Sequence, residues 1–279
     1  MSDRYAVLGH PIGHSRSPQI HRWFAAATGQ DLRYDALDAG SDVPSFLRTL
    51  VEFRAAGGLG VNVTLPYKLA ALQAADGASE GARLAGAANT LKFEDGRIEA
   101  RNTDGVGLVR DIETNCHVAL NGRRVLLLGA GGAARGVLLP LAWAGARCIV
   151  VANRTAEKAQ ALASELVPHA EGTVLDGMGL DGLAGAGVFD VVINATSASL
   201  SGAALDISAG VFAADALAYD LVYGQGLTPF LRSARDAGVR HLADGTGMLV
   251  EQAADAFAWW RGVRPETATV RARLAVPLE

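Results

Sequence analysis

The fold of this chain is decided by the stretch Val125-Leu-Leu-Leu-Gly-Ala-Gly-Gly-Ala-Ala134. Four apolar residues predict a buried strand, and a helical pattern at about 133–144 begins directly after the glycines. Gly129, Gly131 and Ala134 therefore match Gly-x-Gly-x-x-Ala in the strand–turn–helix setting of a dinucleotide-binding fold. The first glycine allows the tight turn, the second lets a pyrophosphate approach the backbone, and the alanine lets helix and strand pack closely. Unpaired amides at the helix N-terminus would bind the phosphates.

The residues after the next predicted strand, at 148–152, indicate which dinucleotide binds. An NAD site usually has Asp or Glu there to bond the ribose 2′-hydroxyl. Here the strand ends in Asn153-Arg-Thr155, and the first carboxylate is Glu157. Arg154 supplies a positive, planar group suited to a 2′-phosphate. The sequence therefore predicts NADP rather than NAD, with a merely solvated arginine as the alternative.

Apolar strands alternate with amphipathic helices on both sides of this stretch. The pattern predicts further strands at residues 5–8, 32–37, 59–63, 90–93, 97–100, 188–194, 216–222 and 239–242. It predicts further helices at 17–28 (with Ser17 as the cap before Pro18), at 44–56, from Pro66 onward, at 156–166 and at 248–260. Such alternation implies parallel strand pairing and right-handed crossovers.

The length of 279 residues suits two domains better than one. We expect an α/β fold with an N-terminal α/β substrate-binding domain at 1–104. A Rossmann-type NADP-binding domain with a parallel sheet would follow at 105–242. Residues 243–279, which contain the final strong helix, would return to pack on the N-terminal domain.

Composition and charge exclude several classes of protein. The net charge is only −4, with acidic and basic residues interspersed, so nucleic acid is not an expected partner. Apolar stretches are shorter than the roughly 20 residues that span a bilayer, and no signal peptide is recognised. Cys116 and Cys148 match no metal or redox spacing. We therefore expect a cytoplasmic protein without a metal site, and its oligomeric state, monomer or homodimer, stays open.

Four polar segments follow predicted strands or turns in the first hundred residues. They cover residues 13–18, 62–68, 86–90 and 102–105. Taken singly, Ser15 and Ser17 are ordinary helix caps, Lys68 is a solvated lysine, and the last segment is a turn. Their convergence favours a binding site, because strand ends of an α/β domain face one crevice. Two hydroxyls beside a helix N-terminus suit a carboxylate ligand.

With these segments in this order, the chain resembles the shikimate dehydrogenase family along nearly its whole length. In the first half the resemblance rests on Gly9-His-Pro-Ile-Gly-His-Ser-Arg-Ser-Pro18, Asn62-Val-Thr-Leu-Pro-Tyr-Lys68, Gly86-Ala-Ala-Asn-Thr90 and Asn102-Thr-Asp-Gly105. In the second half it rests on Gly129-Ala-Gly-Gly-Ala133, Asn153-Arg-Thr155, Asn194-Ala-Thr-Ser197, Tyr219-Asp-Leu-Val-Tyr223 and Ala243-Asp-Gly-Thr-Gly-Met-Leu-Val250, followed by Gln252.

The resemblance implies NADP-dependent, reversible reduction of 3-dehydroshikimate to shikimate by hydride transfer, in chorismate and aromatic amino acid biosynthesis. It implies that Ser15, Ser17 and Tyr223 hold the substrate carboxylate. The residues implied to meet the ring oxygens are Thr64, Lys68, Asn89, Asp104 and Gln252. The residues implied to contact NADP are Gly129, Ala130, Gly131, Gly132, Ala133, Asn153, Arg154, Thr155, Thr196, Leu221, Gly245 and Met248, the last four near the nicotinamide end.

Lys68 and Asp104 are the candidate catalytic residues. Hydride addition to a ketone builds negative charge on its oxygen, and a nearby proton donor lowers that barrier. Lys68 would donate the proton in reduction and accept it in oxidation, with Asp104 beside the same oxygen. Because the two groups share a proton, we treat them as a pair.

Two positions depart from the family pattern, and two other functions stay open. Ala198-Ser199 stands where a glycine is usual, and Thr246 stands where leucine is common, so loop shape and cofactor affinity are the properties in question. One alternative is an NAD-dependent quinate/shikimate dehydrogenase. The other is a non-catalytic NADP-binding protein, which the presence of both Lys68 and Asp104 disfavours.

Overall fold

The computed structural model describes residues 2–196, 198, 205, 207–224 and 226–278, and its contacts define two units. The first unit is Met1–Gly107 together with Val250–Arg273. The second unit is Leu108–Leu249 together with Leu274–Glu279. These bounds differ from the domain limits expected from the sequence. The helices that cross a boundary between the units are Asp104–Arg110, Thr246–Arg261 and Ala268–Leu274. The expected domain limits stay a prediction.

The described residues form strands and helices in near alternation. The strands are β1 Asp3–Gly9, β2 Leu32–Asp38, β3 Gly58–Val63, β4 Gly77–Ala78, β5 Thr90–Glu94, β6 Arg97–Arg101, β7 Arg124–Leu128, β8 Cys148–Asn153, β9 Val174–Gly179, β10 Phe189–Asn194, β11 Phe212–Asp220 and β12 His241–Asp244. The α-helices are α1 Ser17–Thr28, α2 Val43–Ala55, α3 Lys68–Gln73, α4 Glu80–Ala85, α5 Asp104–Arg110, α6 Gly132–Trp143, α7 Ala156–Leu166, α8 Pro229–Asp236, α9 Thr246–Arg261 and α10 Ala268–Leu274. A π-helical turn at Asp111–Asn115 follows α5.

The first unit contains a mixed sheet with the strand order β2-β1-β3-β5-β6-β4 among the described residues. β1 pairs in parallel with β2 and β3, whereas β5 runs antiparallel to β3 and β6. The carboxyl ends of β1 and β3 therefore lie side by side. The loops that follow them carry Ser15 and Thr64, and Ser17 begins α1 directly after the first of these loops.

The second unit contains a parallel sheet with the strand order β12-β11-β10-β7-β8-β9. The chain builds outward from β7 to β9, then returns to the other side of β7 and builds outward from β10 to β12. This reversal creates a topological switch point between β7 and β10, where ligands of open parallel sheets bind. The predicted α/β fold with a parallel Rossmann-type sheet is confirmed.

The final long helix packs on the first unit. The ring of Trp260 in α9 stacks on Tyr5 of β1 with 4.7 Å between ring centroids. Its Nε1 donates to the carbonyl of Leu91 at 3.0 Å. Gly60 leaves room for this ring, because a Cβ there would lie 2.6 Å from Nε1 of Trp260. The predicted return of this helix to the N-terminal part is confirmed by these contacts.

Several local predictions were wrong. Ser17 is the first residue of α1 and does not cap it, and the preceding Arg16 makes no side-chain cap hydrogen bond. The helix expected from Pro66 begins at Lys68, because residues 64–67 form a turn in which the Tyr67 amide donates to Thr64. Strand β9 was missed because Asp and Gly interrupt its apolar pattern. There Gly177 lets α7 approach, since a Cβ at 177 would collide with the Ala159 backbone.

Helices α4, α5, α8 and α10 and the two-residue strand β4 were also missed. None of the described helices is long and apolar enough to cross a bilayer.

Candidate active site

Lys68 and Asp104 form an ion pair in the first unit. Each is the first residue of a helix, Lys68 of α3 and Asp104 of α5. The Nζ atom of Lys68 lies 2.6 Å from Oδ2 of Asp104, and the two side chains are 28% and 19% exposed. The helix N-terminus favours the negative charge of Asp104. The pair is therefore held together while both side chains stay accessible to a ligand.

Asn89 connects this pair to Gln252. Its Nδ2 donates to Oδ1 of Asp104 at 2.9 Å and to Oε1 of Gln252 at 3.3 Å. Its Oδ1 accepts from the backbone amide of Thr103 at 2.8 Å, and the residue is almost fully buried. A buried amide with both ends bonded cannot rotate freely. Lys68, Asn89, Asp104 and Gln252 are thus brought together as one polar cluster.

Two buried residues that bond to this cluster, Asn62 and Thr103, were not given a role from the sequence. Asn62 in β3 accepts from the hydroxyl of Tyr34 at 2.7 Å and donates to Oγ1 of Thr90 at 3.0 Å. The hydroxyl of Thr103, itself buried, lies 3.4 Å from Oε1 of Gln252. An asparagine inside the apolar run of β3 was the available signal, because a buried amide needs hydrogen-bond partners.

Two buried, uncharged rings, those of His21 and Tyr34, lie in the first unit near Ser17. His21 of α1 stacks on Tyr34 of β2 with 4.1 Å between ring centroids. Burial lowers the pKa of His21 to about 3, with the nearby amide of Asn62 opposing the shift. Burial also raises the pKa of Tyr34 well above its ordinary value, with the hydroxyl of Ser17 opposing that shift. Both rings are therefore uncharged at neutral pH.

Ser15, Ser17 and Thr64 lie at the neighbouring ends of β1 and β3. Oγ of Ser15 accepts from the backbone amide of Ser17 at 3.3 Å. The amide of Thr64 donates to the carbonyl of Leu8 at 2.9 Å, which holds the two strand ends together. Tyr223 belongs to the second unit and is 42% exposed there. Its predicted contact with the substrate stays a prediction.

In the second unit, the glycine loop follows β7 as expected. Gly129 has a φ of +106°, a backbone conformation that favours glycine, and a Cβ there would lie 3.1 Å from Cγ2 of Thr196. A Cβ at Gly131 or Gly132 would meet nothing within 4 Å. Gly131 is the N-cap of α6, so the open space lies in front of unpaired helix amides. This arrangement fits a pyrophosphate, and the loop also carries Ala130 and Ala133.

The other candidate cofactor residues on this side lie in the adjacent loops or, for Met248, in the first turn of α9. The Leu221 amide donates to the carbonyl of Asn194 at 3.0 Å, and the Gly245 amide donates to the carbonyl of Val222 at 3.2 Å. The Met248 amide donates to the hydroxyl of Tyr219 at 3.3 Å. The loops after β7, β10, β11 and β12 therefore form a continuous row along the carboxyl edge of the sheet.

Arg154 lies on the other side of β7, after β8. It lines an open cleft of about 530 Å³. The cleft is lined by Arg154, Thr155, Ala156, Glu157, Gly179, Leu180 and Asp181. Among the described residues, no hydrogen bond or ion pair engages the Arg154 side chain, which is exposed, whereas Nδ2 of Asn153 donates to the carbonyl of Thr155. An unpartnered guanidinium beside a helix N-terminus fits a 2′-phosphate.

Of the two departures from the family pattern, the structure describes Thr246 but not Ser199. Ser197 and Ser199 lie outside the described residues. Thr246 is buried at the start of α9, where its amide and hydroxyl each lie 3.0 Å from a carboxylate oxygen of Asp244. The amide of a leucine at this position could still donate to Asp244, but the hydroxyl bond would be lost.

Comparison with known families matches most of the chain. The model described as shikimate dehydrogenase substrate binding domain matches residues 7–91. The model described as shikimate / quinate 5-dehydrogenase matches residues 111–202. The model described as shikimate 5′-dehydrogenase C-terminal domain matches residues 245–275.

Individual relatives agree with the family models. The chain is 54% identical to shikimate dehydrogenase (NADP(+)) of Aromatoleum aromaticum, over 99% of this chain and 98% of the relative. The crystal structure of an Ael1 enzyme from Pseudomonas putida is 54% identical, with a TM-score of 0.94 and full coverage of both chains.

A third relative has been solved with ligands. The structure of Thermus thermophilus shikimate 5-dehydrogenase in complex with NADP(H) and shikimate is 34% identical, with a TM-score of 0.84. The match covers 98% of this chain and 100% of that one. Sequence, fold and the order of the motifs agree, and the chain belongs to the shikimate dehydrogenase family.

Proposed function

We propose that this chain catalyses the NADP-dependent, reversible reduction of 3-dehydroshikimate to shikimate, a step in chorismate and aromatic amino acid biosynthesis. The observation that carries the proposal is the Lys68–Asp104 pair, 2.6 Å apart and oriented by Asn89. A protein that only binds NADP needs no accessible proton donor of this kind. Relatives over the whole chain length are named shikimate dehydrogenase (NADP(+)).

The first unit binds the substrate through side chains. Ser15 and Ser17 bind the carboxylate through their hydroxyl groups. The residues that bind the ring oxygens are Thr64, Lys68, Asn89, Asp104 and Gln252. Because Asn89, Asp104 and Gln252 are already bonded to one another, little ordering is needed when the substrate enters.

NADPH, when bound, supplies the hydride that reduces the ketone carbon. The ammonium of Lys68 then donates a proton to the ketone oxygen, and Asp104 stabilises the ammonium before the transfer. In the reverse direction the pair accepts the hydroxyl proton. Because Nζ and Oδ2 are only 2.6 Å apart, both groups lie next to the oxygen that gains or loses the proton, and we assign the proton transfer to the pair.

The second unit binds the cofactor mainly through its backbone. The amides at the start of α6 bind the pyrophosphate in the open space before Gly131 and Gly132. Arg154, flanked by Asn153 and Thr155, binds the 2′-phosphate. The residues that contact the nicotinamide end are Thr196, Leu221, Gly245 and Met248.

The proposal is tested by following NADPH absorbance with purified protein and 3-dehydroshikimate. We expect consumption of NADPH with this substrate, and slower consumption with NADH. The same measurements with 3-dehydroquinate test the alternative that the family description raises, a quinate dehydrogenase. A higher kcat/KM for 3-dehydroquinate or for NADH would contradict the assignment.

We also propose that the enzyme works in the cytoplasm. Both cysteines, Cys116 and Cys148, are free thiols, which suits a reducing compartment. Location of a tagged chain in fractionated cells tests this point.

A further inference from the structure

Asp220 is a fully buried carboxylate at the carboxyl end of β11. Its Oδ1 accepts from Nδ2 of Asn194 at 3.0 Å and from the amide of Val222 at 3.1 Å. Its Oδ2 accepts from the hydroxyl of Thr228 at 2.6 Å. A carboxylate in the interior is costly unless donors surround it, so its place needs an explanation.

The bond to Asn194 fixes the orientation of that side chain. Oδ1 of Asp220 accepts from Nδ2, so the NH2 group of Asn194 faces Asp220. The carbonyl oxygen of the same amide is then directed to Thr196. It accepts from the Thr196 amide at 3.0 Å and from the Thr196 hydroxyl at 2.7 Å.

Thr196 lies against the glycine loop. A Cβ at Gly129 would come within 3.1 Å of its Cγ2 atom, and the Ala195 amide donates to the carbonyl of Leu128 at 2.9 Å. Asp220 also holds the Val222 amide, next to Leu221. One carboxylate therefore sets the loops after β10 and β11, both on the side of β7 away from Arg154.

We propose that Asp220 is a positioning residue for the nicotinamide half of NADP, acting through Asn194 on Thr196 and through the Val222 amide on Leu221. This inference rests on the proposed function, which places Thr196 and Leu221 at the nicotinamide end. It assigns no contact between Asp220 and the cofactor. A change at Asp220 should affect only the nicotinamide half of the site, because the loop that carries Arg154 follows β8, on the opposite side of β7 from β10 and β11.

The test compares two ligands on the full-length protein. NADPH reports the whole cofactor site, and 2′,5′-ADP reports only the adenosine and 2′-phosphate half. Both dissociation constants are measured by titration without substrate. In Asn194→Ala we expect NADPH to bind about tenfold more weakly, since one or two positioning hydrogen bonds are lost. We expect the affinity for 2′,5′-ADP to stay within about twofold, because no bond near Arg154 changes.

Variants of Asp220 itself give a rescue series. Asp220→Ala removes both acceptor oxygens and should weaken NADPH binding at least as much as Asn194→Ala. Asp220→Asn keeps an acceptor for Asn194 and Val222, because the Thr228 hydroxyl can reverse and accept from the new amide. It should therefore restore NADPH affinity to within about threefold of wild type.

Thr228→Val is the matched control. It removes the 2.6 Å bond to Asp220 and the cap that the Thr228 hydroxyl gives to the Leu231 amide of α8, and it leaves the link to Thr196 intact. We expect its NADPH affinity to be close to that of wild type. Should Asp220→Ala fail to fold, Asn194→Ala and Asp220→Asn still decide the question.

Two outcomes overturn the inference. One is unchanged NADPH affinity in Asn194→Ala. The other is an equal loss of NADPH and 2′,5′-ADP affinity, which indicates general damage to the second unit. Failure of the proposed function is visible separately, as a wild-type protein that does not bind NADPH or does not reduce 3-dehydroshikimate.

Discussion

The two units build their candidate sites from different materials. In the first unit the site consists of side chains that already bond to one another, such as Lys68 to Asp104 and Asn89 to Gln252. In the second unit it consists mainly of backbone amides and open space, with nothing within 4 Å of a Cβ placed at Gly131, together with the exposed side chain of Arg154. The first surface is held in place by bonds between its own side chains, whereas the second is kept open by the glycines before α6.

This difference predicts which kinetic constant each unit controls. Side chains that touch the reacting atoms act in the transition state, so their removal lowers kcat. A surface that only holds the cofactor acts on ground state and transition state alike, so its damage raises the KM or Kd for NADPH. Each variant below tests one side of this contrast.

The largest effect is expected for Lys68→Ala. The variant lacks the proton donor, so kcat should fall about a hundredfold or more while the Kd for shikimate changes little. Lys92→Ala is the control, because Lys92 also forms an ion pair in the first unit, with Glu94 at 3.0 Å, outside the cluster. A turnover like that of wild type in Lys68→Ala would remove this residue from the chemistry.

A side chain at Gly131 should affect the cofactor alone. Gly131 has extended backbone angles and open space, so Gly131→Val is compatible with the fold. It would occupy the place of the pyrophosphate and weaken NADPH binding on the order of fiftyfold, as the loss of charge-assisted hydrogen bonds implies. Gly185→Val places the same side chain at another exposed, open glycine of the second unit. Equal effects of the two variants would refute the pyrophosphate site.

Removal of the Arg154 guanidinium should have a smaller effect, and one that is confined to NADPH and spares NADH. Arg154→Ala is expected to raise the KM for NADPH about tenfold, since one charge-assisted interaction at an exposed position is lost. The KM for NADH should hardly change. Arg240→Ala, which removes an exposed arginine paired with Asp215, is the control. If both cofactors lost affinity equally, Arg154 would not be the 2′-phosphate ligand.

The same contrast explains what the sequence could predict. The glycine loop is local, so Gly129 and Gly131 could be assigned from ten consecutive residues and their setting. Lys68 and Asp104 lie 36 residues apart, and their pairing was suggested by the rule that strand ends converge together with the family resemblance. The bonds of Asn62 with Tyr34 and Thr90 depend on strand register, which no local pattern reveals. Asp220 escaped notice for the same reason.

The smallest expected effect concerns the pH dependence of stability in the first unit. His21 has a pKa of about 3 in the folded protein, against an ordinary value of 6.5, because burial disfavours its charged form. Below pH 6.5 the unfolded chain therefore binds a proton that the folded chain does not, and stability falls as the pH falls toward 3. Linkage gives a loss on the order of 1 kcal/mol in the free energy of unfolding between roughly pH 7.5 and 5.5.

His21→Phe keeps a ring against Tyr34 and removes the titrating group, so it should lack this part of the loss. Urea unfolding of wild type and variant at both pH values measures the difference, and all other titrating groups contribute equally to the two proteins. His169→Phe, at an exposed histidine, should behave like wild type. Parallel pH curves for wild type and His21→Phe would mean that His21 is not held neutral by burial. The stacked rings of His21 and Tyr34 would then not be an uncharged part of the core next to Ser17.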